Sequence, residues 1–237
     1  MDTRASRSIG TGRLRAGRAM RAVAALTVAV SALTIPSTPA RADTYANNFY
    51  PSHWGPNQYF TVPPESPYYR SIILIDNTGD PSLNLQIQTM AQIVNSLHIG
   101  YNANYPVILY YKDLWLAAGQ PCAVGPTQFA VICKDQTLGG SPSATAPASA
   151  AIWPGGEGNH IFYALGRFRP SIVDPMCPGD KFTLAVQVVS NMLGLDYNLS
   201  DPSSAMYPTL PLGRCTYNGW VQADIDRMNL MYNHFSG

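Results

Sequence analysis

The segment between Pro178 and Pro208 constrains the fold more than any other part of the chain. Pro178-Gly179-Asp180 is typical of a helix start, and Asp180 is the predicted N-cap. Apolar residues then recur at helical spacing as far as Leu193, and Gly194 lets the chain leave the helix. Met206-Tyr207-Pro208 follows after a short connection. The segment therefore predicts a long helix with an abrupt exit, followed by a turn that carries a methionine.

A polar stripe runs along one face of this predicted helix. Thr183, Gln187 and Asn191 are spaced four residues apart, which places their side chains one above another. A solvent-exposed helix face explains such a stripe, and so does a face that presents side chains to a functional site. The stripe alone leaves both interpretations open.

The spacing of the whole segment matches that of a zinc-protease motif. The metzincin pattern is H-E-x-x-H-x-x-G-x-x-H, followed by a turn that carries Met. We align the chain with this pattern at Gly194, the position of the glycine, and Met206 with Tyr207 then falls in the turn. Other residues stand where the pattern has its zinc ligands and general base: Gln187 for the first His, Val188 for the Glu, Asn191 for the second His and Tyr197 for the third His.

On these residues the chain resembles a matrixin-type metzincin whose zinc ligands have been replaced. Residues 201–208 resemble the Met-turn region of that family, and residues 222–232 resemble its closing helix. The resemblance implies an α/β (α+β) fold over residues 68–237. In that metzincin-like fold, a twisted mixed sheet is backed by two helices and followed by a Met turn and a C-terminal helix.

The residues at the metal positions do not suit zinc. Zinc prefers Cys thiolate, His nitrogen or carboxylate oxygen, whereas Gln and Asn offer weak neutral oxygens and Val offers none. The general base is absent as well, because Val188 stands at its position. The chain has four histidines, none of them in the helix or its exit: His53, His98, His160 and His234. We therefore predict no catalytic residue, no bound metal and no other cofactor.

Residues 1–42 are predicted to be a secretion signal. They contain seven arginines against one acid, an apolar run from Ala22 to Ile35, and a cleavage site at Ala40-Arg41-Ala42. The run is shorter than the roughly 20 residues needed to cross a bilayer, which favours a cleaved signal over a membrane anchor. The sequence thus predicts a secreted, extracellular protein with no membrane span after cleavage.

Removing this segment changes the net charge. The whole chain has 15 Lys and Arg and 14 Asp and Glu, and residues 1–42 hold seven of the former and one of the latter. The remaining chain has eight basic and 13 acidic side chains, a net charge of −5. A mildly acidic protein without a basic run is a poor candidate for binding nucleic acid.

Four cysteines, all after residue 42, fit two disulfides in an oxidising compartment. Three pairings are possible. We favour Cys122–Cys133, which closes a local loop, and Cys177–Cys215, which clamps the segment that holds the helix and the methionine turn. No C-x-x-C spacing supports a cysteine-based metal site.

Apolar runs and turn residues predict the remaining elements. Residues 43–67 are predicted to be an extended segment that packs on the domain through its aromatic side chains, with a removable pro-segment as the alternative. Asp80 is the predicted cap of a helix that starts with Pro81 and runs through Ser96. The other predictions are strands over residues 69–76, 107–111, 129–132 and 160–165, and a flexible surface loop over residues 139–149.

We expect such a scaffold to bind rather than to cleave. The cleft between the edge strand of the sheet and the Met turn would accept a protein or peptide by strand addition. Tyr197, Tyr207 and Trp220 are the candidate contacts. Two other functions stay open on the sequence: an active zinc-dependent endopeptidase with atypical ligands, and a structural protein of the envelope or extracellular matrix.

Overall fold

In the computed structural model of the protein, a mostly parallel sheet of six strands forms the centre. The structure describes residues 53–54, 70–100, 107–113, 122, 125, 128–139, 145–155, 160–210 and 212–233. The predicted secretion signal and most of the predicted N-terminal segment lie outside these residues. Within them, no helix is both long and apolar enough to cross a membrane.

Strands and helices are numbered separately, each in chain order. The strands are β1 (His53–Trp54), β2 (Arg70–Asn77), β3 (Val107–Asp113), β4 (Phe129–Lys134), β5 (Ala148–Gly155) and β6 (His160–Phe168). The helices are α1 (Pro81–Ser96), α2 (Pro170–Val173), α3 (Pro178–Met192) and α4 (Gln222–Tyr232).

Four parallel strands form the body of the sheet, in the order β3-β2-β4-β6. β5 pairs antiparallel with β6, and β1 pairs parallel with the first two residues of β6. Parallel neighbours need crossover connections, and α1 supplies the one between β2 and β3. The predicted mixed α/β sheet is therefore confirmed, since one antiparallel strand joins an otherwise parallel sheet.

Apolar residues alternate between two cores, one on each face of the sheet. On one face, α1 and α3 pack against the inward residues of β2 and β4, including Ile72, Leu74 and Ile132. Burying each such side chain stabilises the fold by about 2 kcal/mol relative to leaving it in water. The opposite face carries a smaller cluster: Ile75, Phe129, Val131, Cys133 and Leu165.

Helix α1 begins and ends where its sequence predicts. Asp80 is the N-cap, and its side chain accepts hydrogen bonds from the backbone N–H groups of Ser82 (2.9 Å) and Leu83 (3.3 Å). Pro81 occupies the first helical position, where its missing N–H costs nothing. The last helical residue is Ser96.

The predicted N-cap of α3 is wrong. Helix α3 starts at Pro178, so its N-cap is Cys177 and Asp180 lies in the first turn. Pro178 is pre-set for the first helical position, which moves the start three residues ahead of the strongest capping side chain. The Asp180 carboxylate instead accepts a hydrogen bond from the backbone N–H of Gly213 (2.6 Å), which ties the helix start to a later loop.

The four strand predictions are correct in position but three of them are too short, and neither β1 nor β5 was predicted as a strand. β3, β4 and β6 each run two or three residues beyond the predicted ends, because pairing with their neighbours continues past the apolar run. The predicted loop over residues 139–149 is wrong at its end, since β5 begins at Ala148. Ala and Ser have weak strand preference, so β5 depends on its pairing with β6.

The cysteines pair as favoured from the sequence. Cys122 is bonded to Cys133 at the end of β4, and Cys177 is bonded to Cys215. The second disulfide joins the N-cap of α3 to the loop that follows the methionine turn. Gly179 lies beside it, where an added Cβ would collide with the backbone of Cys215. This close approach explains the need for glycine at that position.

A shared ion network joins three elements near the start of α1. The Asp80 carboxylate lies 3.0 Å from Lys134 Nζ at the end of β4 and 3.4 Å from Lys181 Nζ in α3. Lys134 also pairs with Asp174 at 2.6 Å. Burial acts to raise the pKa of Asp80, but hydrogen bonds from Lys134, Ser82 and the backbone outweigh it and lower the pKa well below its usual range.

We expect Asp80→Asn to destabilise the protein by about 2 kcal/mol at neutral pH, because Asn keeps the helix cap but removes the charge that both lysines share. The folded pKa is lowered, so the stabilisation is complete above the unfolded pKa of about 3.9 and is lost as pH falls from there through the folded pKa. Urea unfolding of both proteins from pH 7 to pH 2 checks this.

The exposed Asp226 provides the control for that measurement, through Asp226→Asn on the surface of α4. The control should match the wild-type protein within about 0.5 kcal/mol at every pH. A stability difference between Asp80→Asn and wild type that stays constant down to pH 2 would contradict the ionic role of Asp80.

Candidate functional site

Helix α3 is buried on every side, including its polar stripe. The exposed fractions of Thr183, Gln187 and Asn191 are only 2%, 9% and 3%. The interpretation of this stripe as a solvent-exposed face is therefore wrong. The stripe faces the chain segment that follows the helix, residues 197–220, and hydrogen bonds join the two.

Gln187 fastens the methionine turn to the helix. Its side-chain nitrogen donates to the backbone carbonyl of Ala205 (3.2 Å) and to that of Tyr207 (3.1 Å). These two carbonyls flank Met206, which is completely buried. One amide group thus uses both of its N–H donors on the turn and fixes the turn's distance from the helix.

The same face of α3 holds the loop after the turn. Thr183 Oγ1 accepts from the backbone N–H of Asn218 (3.1 Å) and lies 3.2 Å from the carbonyl oxygen of Thr216. The indole N–H of Trp220 donates to Ser190 Oγ at 2.7 Å. Trp220, a predicted cleft contact, is therefore partly used in anchoring this loop.

Asn191 and Tyr197, which take the second and third ligand positions in the alignment, are brought into contact by the exit from α3. Burial raises the pKa of the Tyr197 hydroxyl, the neighbouring Asn191 side chain acts to lower it, and the Asp196 carboxylate adds to the rise. Tyr197 and Asn191 are therefore neighbours at the exit from the helix. Asp196 Oδ1 also accepts from the Tyr197 backbone N–H at 2.8 Å.

One atom of the Asn191 amide is buried without a partner. Its Oδ1 has no hydrogen bond from any described residue. A buried acceptor left unsatisfied typically costs about 1–3 kcal/mol. Among the three polar side chains of the stripe, Asn191 is the one with a buried atom that lacks a partner among the described residues.

Val188, at the position of the general base, is a core residue. Its side chain is 2% exposed and points to β6, where an added Cβ on Gly166 would collide with Val188 Cγ1 and Met192 Sδ. The position beside the first ligand thus presents methyl groups to the sheet. It offers no atom that can take a proton from water.

These side chains do not fit a zinc ion. The Gln187 side chain directs its N–H donors to backbone carbonyls, whereas a metal ligand must direct a lone pair to the ion. Among the described residues, the one group of three side chains with ligand atoms close enough for a metal is Cys177, Asp180 and Cys215. Its two cysteines form a disulfide. We therefore derive no chemical step through a metal.

Asp224 supports the turn from its other side, a role that the sequence analysis missed. The fully buried carboxylate accepts from Ser204 Oγ (2.6 Å) and Asn198 Nδ2 (3.1 Å). Ser204 Oγ in turn accepts from the Met206 backbone N–H at 2.8 Å. The signal in the sequence was an acidic residue three positions after the N-cap Val221, where it can bond back to the cap.

No protein-family model matches the chain, and no curated protein matches it. The functional proposal therefore depends on the contacts within the chain.

We expect Gln187→Glu to destabilise the protein by about 3 kcal/mol at neutral pH, because a buried carboxylate would face the carbonyls of Ala205 and Tyr207. A protonated Glu keeps one donor, so the deficit relative to wild type should shrink as pH falls through the raised folded pKa of the buried Glu toward its unfolded value of about 4.3. Urea unfolding at pH 7 and pH 4.5 measures both effects.

Gln187→Leu is the matched variant that carries no charge. It should cost about 2 kcal/mol with no pH dependence relative to wild type, since it only removes the two hydrogen bonds. Wild-type stability of Gln187→Glu at pH 7 would show that the amide does not hold the turn.

Proposed function

We propose that this protein is a secreted, catalytically inactive relative of the matrixin-type metalloproteases, and that it binds an extended peptide segment of another protein along β5. The observation that carries the proposal is the Gln187 amide, which joins α3 to both sides of Met206. At the position of a metal ligand it makes a purely structural crosslink.

The order of elements supports the family resemblance. A strand, a long helix, further strands, a buried helix, a methionine turn and a last helix follow one another along the chain, as the resemblance implies. The exit at Gly194 has the positive φ of 93° that favours glycine. The same exit carries Tyr197 back to Asn191, as a third ligand would be carried to a second.

The loss of chemistry is supported by where the replaced side chains point. Val188 faces the sheet, and Gln187 and Asn191 face backbone and phenol groups. Proton transfer needs a titratable side chain within hydrogen-bond reach of the reacting group. The Asp196 carboxylate is buried and accepts a hydrogen bond from the Tyr197 backbone.

The hydrogen-bond pattern shows which backbone groups of β5 face outward. Arg169 N donates to the Pro147 carbonyl (2.8 Å), and this pair continues the register that matches Ala148 with Phe168. Bonded and unbonded pairs alternate in an antiparallel ladder. Residues 149, 151 and 153 therefore bond to β6, whereas Ala148, Ala150 and Ile152 direct their N–H and C=O groups to the outer edge.

That outer edge is suited to strand addition. No other described strand pairs with it. β5 has no charged side chain, and its one proline, Pro154, comes after the outward-facing groups at an irregularity in the ladder. Natural proteins usually protect exposed edges with charge, proline or a bulge along the strand. An edge left open over three outward pairs can take a peptide through main-chain hydrogen bonds.

The chemistry of β5 also limits the partner. Ala148, Ala150 and Ile152 pack their side chains toward the main core, so the edge offers backbone groups and small apolar surface. The net charge of −5 after residue 42 disfavours acidic peptides. The partner we propose is an extended, non-acidic segment with small or apolar side chains.

Selection of a phage-displayed library of random peptides tests the proposal. We expect the wild-type protein to enrich non-acidic peptides and Ala150→Pro to bind them at least about tenfold more weakly. Proline removes the outward N–H of residue 150 and keeps the bonds of β5 to β6, which is the setting in which edge strands tolerate it. Ala150→Ser keeps the N–H and serves as the matched control.

Three results of that experiment are decisive. Weaker binding by Ala150→Pro alone supports the edge as the site. Equal binding by both variants, with unchanged circular dichroism, would move the site away from β5. Enrichment of no peptide by the wild-type protein would sink the binding proposal and favour a structural role in the envelope or matrix.

A further inference from the structure

The end of helix α3 leaves two backbone carbonyls without partners in the helix. Leu193 N and Leu195 N both donate to Ser190 O, and Gly194 N donates to Asn191 O. The carbonyls of Met192 and Leu193 come after these and need partners from elsewhere, as the last carbonyls of any helix do.

Two distant parts of the chain supply those partners. The indole N–H of Trp54 in β1 donates to Met192 O at 2.8 Å, and the Tyr232 hydroxyl at the end of α4 donates to Leu193 O at 2.6 Å. The two donors are also joined to each other, because Trp54 N donates to the Tyr232 hydroxyl oxygen at 3.3 Å. Helix α3 is thus capped by residues from both ends of the described chain.

Both capping residues are held rigidly. Trp54 is 2% exposed and Tyr232 is fully buried. Arg70 Nη1 donates to the Tyr232 carbonyl at 2.8 Å, and its guanidinium lies 5.3 Å from the centre of the Tyr232 ring. Burial raises the pKa of Tyr232, so its hydroxyl keeps the proton that it donates.

The capped carbonyls lie at the point where the chain leaves α3 for the candidate site. Asn191 precedes Met192 directly, and Gly194 follows Leu193 and turns the chain toward Tyr197. A shift of Met192 or Leu193 would therefore move the Asn191 side chain and the path of Tyr197 together.

We propose that the His53–Trp54 strand is a positioning element of the candidate site: Trp54, together with Tyr232, fixes the exit of α3 that brings Tyr197 to Asn191. The strand is then a permanent part of the binding domain and not a removable pro-segment. The test of this positioning role by peptide binding rests on the proposed function, whereas the test by titration of Tyr197 does not.

Trp54→Phe and Tyr232→Phe, each in the otherwise unchanged chain, test this role. Each removes one donor to the helix end and keeps most of the buried ring. Helix α3 packs against β5, so a displaced helix end would disturb the proposed peptide edge. We therefore expect peptides selected on the wild-type protein to bind at least about tenfold more weakly to both variants. We also expect the pKa of Tyr197 to rise further above its ordinary value of about 10, because the lowering effect of Asn191 is lost; NMR titration of 13C-labelled tyrosine measures this, with Tyr197→Phe assigning the signal.

Ile87→Val, a core change in α1 away from the helix end, is the control for lost stability. It should lower the unfolding midpoint while leaving the Tyr197 titration and the peptide affinity unchanged. If the Phe variants behave like Ile87→Val, Trp54 and Tyr232 are only structural and the positioning role is wrong. If the wild-type protein binds no peptide, the proposed function fails, and the Tyr197 titration alone decides the positioning role.

Discussion

The attachment of the methionine turn to helix α3 by the Gln187 amide is the interaction on which the site depends. Two net hydrogen bonds contribute about 2 kcal/mol, whereas complete structural zinc sites contribute roughly 10–16 kcal/mol. The Gln187 amide therefore fixes the position of the turn but contributes little to the free energy of folding. Other crosslinks also join α3 to the segment that follows it.

Those crosslinks are present on three sides of the turn. The Cys177–Cys215 disulfide closes a loop with a sequence separation of 38, for which loop entropy predicts about 4 kcal/mol. Thr183 holds the loop after the turn, and Asp224 holds the turn from α4. These crosslinks hold the turn to α3 without a metal, and the outer edge of β5, where we propose that a peptide binds, takes no part in them.

Much of the fold could be predicted from the sequence where one local signal decides the structure. Asp80 and Pro81 set the start of α1, and apolar runs located four strands of the sheet. β5 could not be located this way, because its alanines carry no pattern and its position depends on pairing with β6. The N-cap predicted at Asp180 is wrong because Pro178 moved the helix start.

The candidate site was predictable only in part. The spacing of Gln187 and Asn191 predicted that the two share one helix face, but the partners of Gln187 are the backbone carbonyls of Ala205 and Tyr207, which no side-chain pattern reveals. The capping of α3 by residues from both chain ends is non-local in the same way. The polar stripe is buried because the segment after the helix packs against it, and no periodic sequence pattern predicts the path of that segment.

The zinc affinity of a Gln187→His/Asn191→His/Tyr197→His variant tests the central claim most directly. Val188 stays unchanged, because it packs against Gly166 and a buried glutamate there would cost stability. If the amides stand where a metalloprotease holds its metal, the variant should bind one zinc per chain at about 1 µM or tighter and regain the stability lost with the Gln187 amide. A variant that stays folded and binds no zinc would contradict the account.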